Sequence, residues 1–473
     1  MFMMSRFWWY NLAMAMNIKG KNPTPVESEE EEETLPHLLV TTIKLGTKSC
    51  GFAYQLKAEF KENPANVHSF IFKTGTTIRI DFPPALTLTR EGRAEEFGYE
   101  AIKQFEEMEG YSEDYVFFEN VIESLYISED FSDANLIKDS KGSAHRALDV
   151  FGKFIRILFD YFNEVIVNQI PNVIKPLEIK WVLMIPSVRA GSGVVPFFEK
   201  AWNEVFRNED MRNLTTVTFP SAALAYYLYL PPEKCEGICI DNIQTGERVM
   251  MIGFEDELDS FNIYEKLEDR KFKQVVNFLS GASSKCLIIK AFDSFFDDLI
   301  GSWLWKVAKQ INVDLWPDMV SKIDDIIESN RDTESMVTFR HVAFDLQTIC
   351  EKHTNMSLEQ IVAKSVFATK ITCRQPNLRV KLSLINTLFD KCLSKVVNDI
   401  EHVLTKSDKE VTTLILAGNM ASSNLLKHAL QTTFPSKHIV VLKEAALKGA
   451  VLFGQEHIVV SSIFSGAQVM VTV

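Results

Sequence analysis

One pattern is written twice along this chain, and it limits the fold more than any single motif. Near the start, "LLVTTIKL" and "CGFAYQLKAEF" flank the turn "GTKS". Both runs are rich in β-branched and aromatic residues, and a short Gly-bearing turn between such runs reads as a hairpin. Further strands are expected at "HSFIFKT" and "TTIRIDF". From Ala144 to Ile166 apolar residues recur at helical spacing. A buried strand, "IKWVLMIPS", comes next, then a helix, "VVPFFEKAWNEVF", a short strand, "LTTVTF", and a helix, "PSAALAYYLYL". After Pro232 the same grammar restarts. "EGICIDNIQTGERVMMIGF" is expected to form strand, turn and strand. Helical segments run from about Ser284 to Leu404, with a Pro-bearing break at "WPDM". "VTTLILAGNMASSNLLKHALQTTF", "HIVVL" and "KEAALKGAVLFGQ" then repeat strand, loop and helix. Alternating β and α elements imply an α/β fold. Two rounds of them predict a duplicated architecture of two lobes, residues 37–234 and 235–473, with a ligand cleft between.

Composition removes other classes. A net charge of −13 argues against nucleic acid as a partner, because phosphate backbones need a basic surface. Seven cysteines, Cys50, Cys235, Cys239, Cys286, Cys350, Cys373 and Cys392, include no paired C-x-x-C knuckles. They read as free thiols of a reducing cytosol rather than a disulfide frame or a zinc site. Residues 1–36 hold an acidic run, Glu29 to Glu33, among Pro, Ser and Thr, and are expected to form a disordered tail. The apolar start "MFMMSRFWWYNLAMAM" lacks the basic start and cleavage site of a signal peptide. No segment offers about eighteen uninterrupted apolar residues. The expectation is a cytoplasmic protein without a membrane partner.

The ordered set "IKLGTKSCGFAY", "EFGYEA", "IKWVLMIPS", "FPSAALAYYL", "LILAGNMASSNLLKHAL" and "LKGAVLFG" resembles the nucleotide-binding domain of the 70-kDa heat-shock chaperones, and more narrowly their divergent subfamily 12. The likeness runs from His37 to Ile463. It implies the actin-like ATPase fold, two lobes with ATP in the cleft. One hairpin from each lobe would grip the phosphates, and a Gly-rich turn would lie against adenosine. Backbone amides in tight turns supply donors to phosphate, and glycine permits the close approach. Acidic side chains would hold Mg²⁺ largely through water.

Against that pattern the phosphate and metal positions have changed. The first hairpin of the family reads apolar-Asp-apolar-Gly-Thr-Thr/Ser. This chain gives Ile43, Lys44, Leu45, Gly46, Thr47 and Lys48, so Gly46 and Thr47 match while Lys44 replaces the metal-side acid. The second hairpin, Asp-x-Gly-Gly-Gly-Thr-x-Asp in the family, is aligned with Asp241 to Arg248. Asp241 then matches, three glycines are missing, and Arg248 takes the closing acid. Phe219 stands where the family carries a carboxylate, and Ile102, beside Lys103, where it carries a lysine that positions water. The adenosine side is closer to the pattern: Glu328 and Arg331 fit its Glu-x-x-Lys/Arg pair, and Gly418 its turn. Pro186 matches the inter-lobe proline. Each match also has a structural reading. Glu328 and Arg331 are spaced as a solvated helix pair, Gly418 suits a strand-to-helix turn, Asp241 suits a hairpin, and Gly46 with Thr47 suits turn geometry alone.

The resemblance with these departures implies a pseudo-ATPase that acts as an interaction or regulatory protein. ATP or ADP, bound weakly if at all, would rest on Gly46, Thr47, Lys48, Asp241, Glu328, Arg331 and Gly418, with no catalytic residue, no metal ligand and no Mg²⁺ dependence. Lys44 and Asp241 are expected to pair across the cleft. The alternatives are an ATP-hydrolysing chaperone of the family and a small-molecule kinase on the same fold. Without a client-binding module, for which little chain follows "LKGAVLFG", client release by this chain alone is not expected. Nothing in the residues names a protein partner.

Overall fold

A computed structural model describes residues 37–74, 77–107, 114–128, 131–167, 174–187, 193–207, 214–234, 237–268, 271–312, 315–328, 336–374, 377–456 and 460–462. The expected tail, residues 1–36, lies outside them. The first half builds a sheet from β1 (Leu39–Leu45), β2 (Cys50–Leu56), β3 (His68–Ser69), β4 (Ile179–Ile185) and β5 (Leu214–Thr218), in the spatial order β5-β4-β1-β2-β3. β1 to β3 run antiparallel in sequence, while β4 and β5 join on the other side of β1 as parallel strands. Helices α1 (Gly98–Glu107), α2 (Val121–Ser128), α3 (Ala147–Phe162), α4 (Val194–Val205) and α5 (Phe219–Tyr229) belong to this half.

The second half repeats the topology. Its strands are β6 (Arg248–Phe254), β7 (Asp259–Lys266), β8 (Phe272–Leu279), β9 (Val411–Gly418) and β10 (His438–Leu442), ordered β10-β9-β6-β7-β8. A short strand β11 (Val460–Ser462) extends it beyond β8. Helices α6 (Ser284–Ile300), α7 (Ser302–Ile311), α8 (Leu315–Glu328), α9 (Arg340–Thr354), α10 (Leu382–Leu404), α11 (Asn424–Thr433) and α12 (Ala445–Gln455) belong here. This is the two-lobed actin-like ATPase fold, with one mixed sheet per lobe.

Strand side chains alternate between two cores, as the period of two requires. Leu39 and Ile43 of β1, with Trp181 and Leu183 of β4, face α3 and α4. Val40, Val182 and Met184 point the other way, onto Ala446, Ala450 and Val451 of α12. In the second sheet Met250 and Ile252 join the large core with α6 and α10, while Val249 and Met251 face Ala223, Tyr227 and Leu228 of α5. Strands buried on both faces read as continuous apolar runs, which is why "IKWVLMI" and "RVMMIGF" carry so few polar residues.

The final helix of each half thus covers the sheet of the other half. Where α5 and α12 cross, Gly449 lies so close to α5 that an added Cβ would stand 1.8 Å from the Ala222 carbonyl oxygen. Gly454 meets the first sheet, with Val40 Cγ1 and Val182 Cγ2 within 2.7 Å of such a Cβ. Both glycines of "LKGAVLFG" are therefore required by packing.

Two sequence expectations shift. The described residues of "EGICID" form no strand: Gly237 takes φ of 126°, and residues Ile240–Asn242 make one 3-10 turn before β6. The helical stretch from Ser284 breaks at Gly301, whose φ is 92°, and β-pairs Met336–Phe339, Ile371–Arg374 and Asn377–Lys381 interrupt it further. Pro317 lies in the first turn of α8, where its missing N–H costs nothing.

Candidate functional site

The C-terminal ends of β1, β4, β6 and β9 converge between the lobes around a cavity of about 290 Å³. The turn after β1 is tight because Gly46 has no side chain: an added Cβ would lie 2.4 Å from the Ser49 carbonyl oxygen. Thr47 is buried, and its carbonyl accepts from Asn120 Nδ2 at 2.7 Å. Lys44 folds back across the turn and donates to Ser49 Oγ at 2.8 Å. The expected Lys44–Asp241 pair does not form. Instead Lys48 makes the inter-lobe contact: it bonds Glu123 of α2 and reaches Glu257 of the second lobe at 3.5 Å. Burial pulls the Lys48 ammonium down, but the two carboxylates outweigh it and leave it above its ordinary range.

The facing turn joins β6 to β7 and reads Glu255, Asp256, Glu257, Leu258. It is closed by Glu255 N–H donating to the Leu258 carbonyl at 3.3 Å. The Glu255 carboxyl is buried and accepts from the Ser187 N–H at 2.9 Å, a second bond between the lobes, and from Ser260 Oγ at 3.4 Å. Burial raises its pKa to about 7; the hydrogen bond from the Ser187 N–H opposes the rise and nearby Asp256 adds to it. Glu257 is also raised, by partial burial first, with Lys48 opposing. Asp259, at the start of β7, is buried, accepts from Ser284 N–H at 2.9 Å and is pushed up to about 6 by burial.

The third wall is the turn after β9. Gly418 has φ of 100°, and a Cβ there would fall 2.1 Å from the Phe254 carbonyl oxygen. That oxygen accepts from Asn419 N–H at 3.0 Å, and Asn419 Nδ2 reaches Asp256 Oδ1 at 3.5 Å. Phe219, at the start of α5, lays its ring against Gly253, 3.0 Å from where a Cβ would be, and lines the cavity with Phe254. Lys285 of α6 lines it too and is paired with Asp324 of α8 at 2.8 Å. The wall holds the carboxylates Asp81, Glu255, Asp256 and Glu257 against the ammonium groups of Lys44 and Lys285. Ser187 Oγ, Tyr126 Oη and Asn419 Oδ1 are buried there without a hydrogen-bond partner among the described residues.

Of the residues singled out from sequence, Gly46, Thr47 and Gly418 line the cavity, as do Lys44, Pro186 and Phe219. Lys48 stands at its rim through Glu257. Asp241 and Arg248 do not belong to it. Arg248 opens β6 at the opposite end, seven residues and about 23 Å from Glu255 at ~3.3 Å per residue, and Asp241 lies before it in the 3-10 turn. Arg248 is buried there, clamping Glu265 at 3.0 Å and Asp408. The hairpin at the cleft is thus one strand later than the sequence alignment put it. When the closing acid of the family pattern is placed on Asp259, its three glycines fall on Phe254, Glu255 and Asp256. Glu328 is exposed at the end of α8 and outside the cavity lining, and Arg331 lies outside the described residues. Lys103 faces solvent and reaches Glu107 at 3.9 Å.

Sequence reasoning missed Asp81, Glu255, Asp256 and Glu257. The available signal was "GFEDELDSF", four polar or turn-forming positions between two apolar, alternating runs. Among the described residues no group of three or more His, Cys, Asp or Glu side chains is arranged to hold a metal ion. No described helix is long and apolar enough to cross a membrane.

No family model matches this chain. It is similar to heat shock 70 kDa protein 12A of Mus musculus, at 18% identity over 488 aligned residues that cover 92% of this chain and 72% of the mouse protein. The likeness is a distant one to the 70-kDa heat-shock proteins, spread over most of the chain.

Proposed function

We propose that this chain is a nucleotide-binding-domain protein of the heat-shock-70 kind whose phosphate and metal sites have degenerated. In this reading it is a pseudo-ATPase that works as an interaction or regulatory protein in the cytoplasm, with ATP or ADP bound weakly or not at all. The observation that carries the reading is the Glu255–Asp256–Glu257 turn facing Gly46 and Thr47 across the cleft. Glycine amides at that turn would donate to phosphate; carboxylates repel it. Lys48, which joins the two turns, is already neutralised by Glu123 and Glu257. The residues present do not fit a metal–triphosphate. Asp81 and Asp256 are carboxylates of the kind that hold Mg²⁺ through water, but the turn that should donate amides to the triphosphate carries Glu255, Asp256 and Glu257 instead. Phosphoryl transfer depends almost wholly on positioned charge, so a site with inverted charge at its second hairpin has lost the main source of rate.

Titration calorimetry with ATP and with ADP, each with and without Mg²⁺, tests this together with a phosphate-release assay. The expected result is release no faster than background, and weak or undetectable binding that EDTA leaves unchanged. Tight, Mg²⁺-dependent binding with steady turnover would overturn it and favour the ATP-hydrolysing chaperone.

A further inference from the structure

The small antiparallel sheet of the second half, with Met336–Phe339, Asn377–Lys381 and Ile371–Arg374 in spatial order, has two faces of opposite character. Val337, Phe339, Ile371, Cys373, Leu378 and Val380 turn inward and are buried in the large core. The register fixes what shares the other face, because residues directly opposite in a ladder point the same way. Thr338, Arg379 and Thr372 form its middle row. On one side of that row Met336 stands opposite Lys381, whose N–H donates to the Lys370 carbonyl at 2.9 Å. On the other side Arg374 stands opposite Asn377, and Arg340 Nε reaches Asn377 Oδ1 at 3.4 Å. Five of these nine residues are cations, Arg340, Lys370, Arg374, Arg379 and Lys381, and none of the nine is an acid. All five cations are exposed, and none forms an ion pair with a described residue.

Solubility is served by charge of either sign, and the chain as a whole carries 63 acidic against 50 basic residues. A face of one sign repels itself across adjacent strands, and an anionic partner relieves that cost. We propose that this face docks a short acidic segment of a partner protein, laid in extended form along the strands. Alternate side chains of an extended chain recur about every 7 Å, the same repeat that separates the rows of the sheet. Planar carboxylates suit the guanidinium forks of Arg340, Arg374 and Arg379. A nucleic acid or an anionic membrane extends beyond the patch, where it meets the rest of a protein with a net charge of −13. A short peptide meets the patch alone. The face is separate from the cleft, so the proposal stands whether or not ATP binds there.

The test is fluorescence anisotropy of a labelled hexaglutamate peptide titrated with the full chain. Saturable binding that weakens steeply with added salt is expected. Arg379→Glu, at the centre of the face, should weaken it by roughly tenfold or more. Arg90→Glu, an equal charge change at an exposed residue of the first lobe, should leave it nearly unmoved. Should Arg379→Glu fail to fold, Arg374→Glu on the edge strand takes its place with the same expectation. No saturable binding by the parent would overturn the proposal, as would equal losses in Arg379→Glu and Arg90→Glu. Tighter binding of a thymidine hexanucleotide or of phosphatidylserine vesicles overturns it in favour of a nucleic acid or a membrane. Binding seen only after Glu29 to Glu33 are changed to glutamine would put this chain's own acidic run on the face, and overturns the partner as well.

Discussion

At Gly418 the choice of residue follows from one distance. With φ at 100° and the Phe254 carbonyl oxygen 2.1 Å from any added Cβ, only glycine closes the turn after β9. Gly418→Ala is expected to cost roughly 3 kcal/mol or more, through left-handed strain plus a clash with rigid backbone. Urea unfolding measures it, and a loss under about 1 kcal/mol would mean that the turn relaxes freely. This glycine was legible in "LAGNM" because such constraints are local. Glu255 was not, since its properties come from burial between elements distant in sequence. Its carboxyl titrates in the fold near 7 rather than the ordinary 4.5. The folded state therefore holds a proton that the unfolded chain has released between these values. Stability contributed by protonated Glu255 is full below about pH 4.5 and is lost as pH rises through about 7, at a cost on the order of 3 kcal/mol. Asp259, raised to about 6, adds a slope of the same sign. Unfolding free energies at pH 5 and pH 8 should thus fall with pH in the parent and fall less in Glu255→Gln, which still accepts the Ser187 N–H. Parallel profiles would show that Glu255 is charged throughout.

Between elements, the sequence reading had the right kind of contact on the wrong residues. It expected a lysine of the first hairpin to bridge to an acid of the second, and such a bridge exists, but it is Lys48 to Glu257. Lys44 shares the face of β1 that carries Val40 and Thr42, and its ammonium closes its own turn on Ser49. The error came from register. "CIDNIQTGERV" carries a Gly-bearing turn, Gly246 with φ of 87°, so it reads as the hairpin although it precedes β6. Only the pairing of β6 with β7 shows that the cleft turn is Glu255 to Leu258. Two outcomes separate these assignments. Lys44→Met removes a single hydrogen bond and should cost about 1 kcal/mol, not the larger penalty of a broken buried ion pair. Lys48 is about half exposed, so the bridge itself is worth roughly 0.5–1 kcal/mol and weakens with salt. Lys48→Met and Glu257→Gln should each lose about that much, and the double variant no more than slightly beyond either single one. Fully additive losses would show that the two side chains act independently.

For the whole molecule the deciding feature is the crossing of α5 and α12, which sequence duplication alone did not reveal. Two rounds of strand, helix, strand and helix suggest two lobes that fold side by side. In the structure each lobe's last helix is spent on the other's sheet: α12 covers Val40, Val182 and Met184, and α5 covers Val249, Met251 and Ile415. The proposed lobes, residues 37–234 and 235–473, are therefore expected to unfold as halves of one cooperative unit. A fragment ending at Lys234 would lose the α12 part of this cluster, Ala446, Ala450, Val451 and Leu452, and leave Val40, Val182 and Met184 of β1 and β4 partly exposed. An apolar sheet face exposed in this way is a site for association. The fragment 37–234 made alone is thus expected to aggregate or to bind a hydrophobic dye, and made together with 235–473 it should be recovered as a stoichiometric complex. Disrupting the crossing should reproduce the defect in the full chain. Gly449→Leu puts a side chain where the Ala222 carbonyl lies, and neither helix can withdraw without uncovering a sheet. It should lower the melting temperature of both lobes together, in a single transition. A soluble, monomeric fragment 37–234 with a cooperative melt of its own would refute the shared-core account. Two separate transitions in the Gly449→Leu variant would do so as well, because lobes joined by reciprocal helices cannot unfold one at a time.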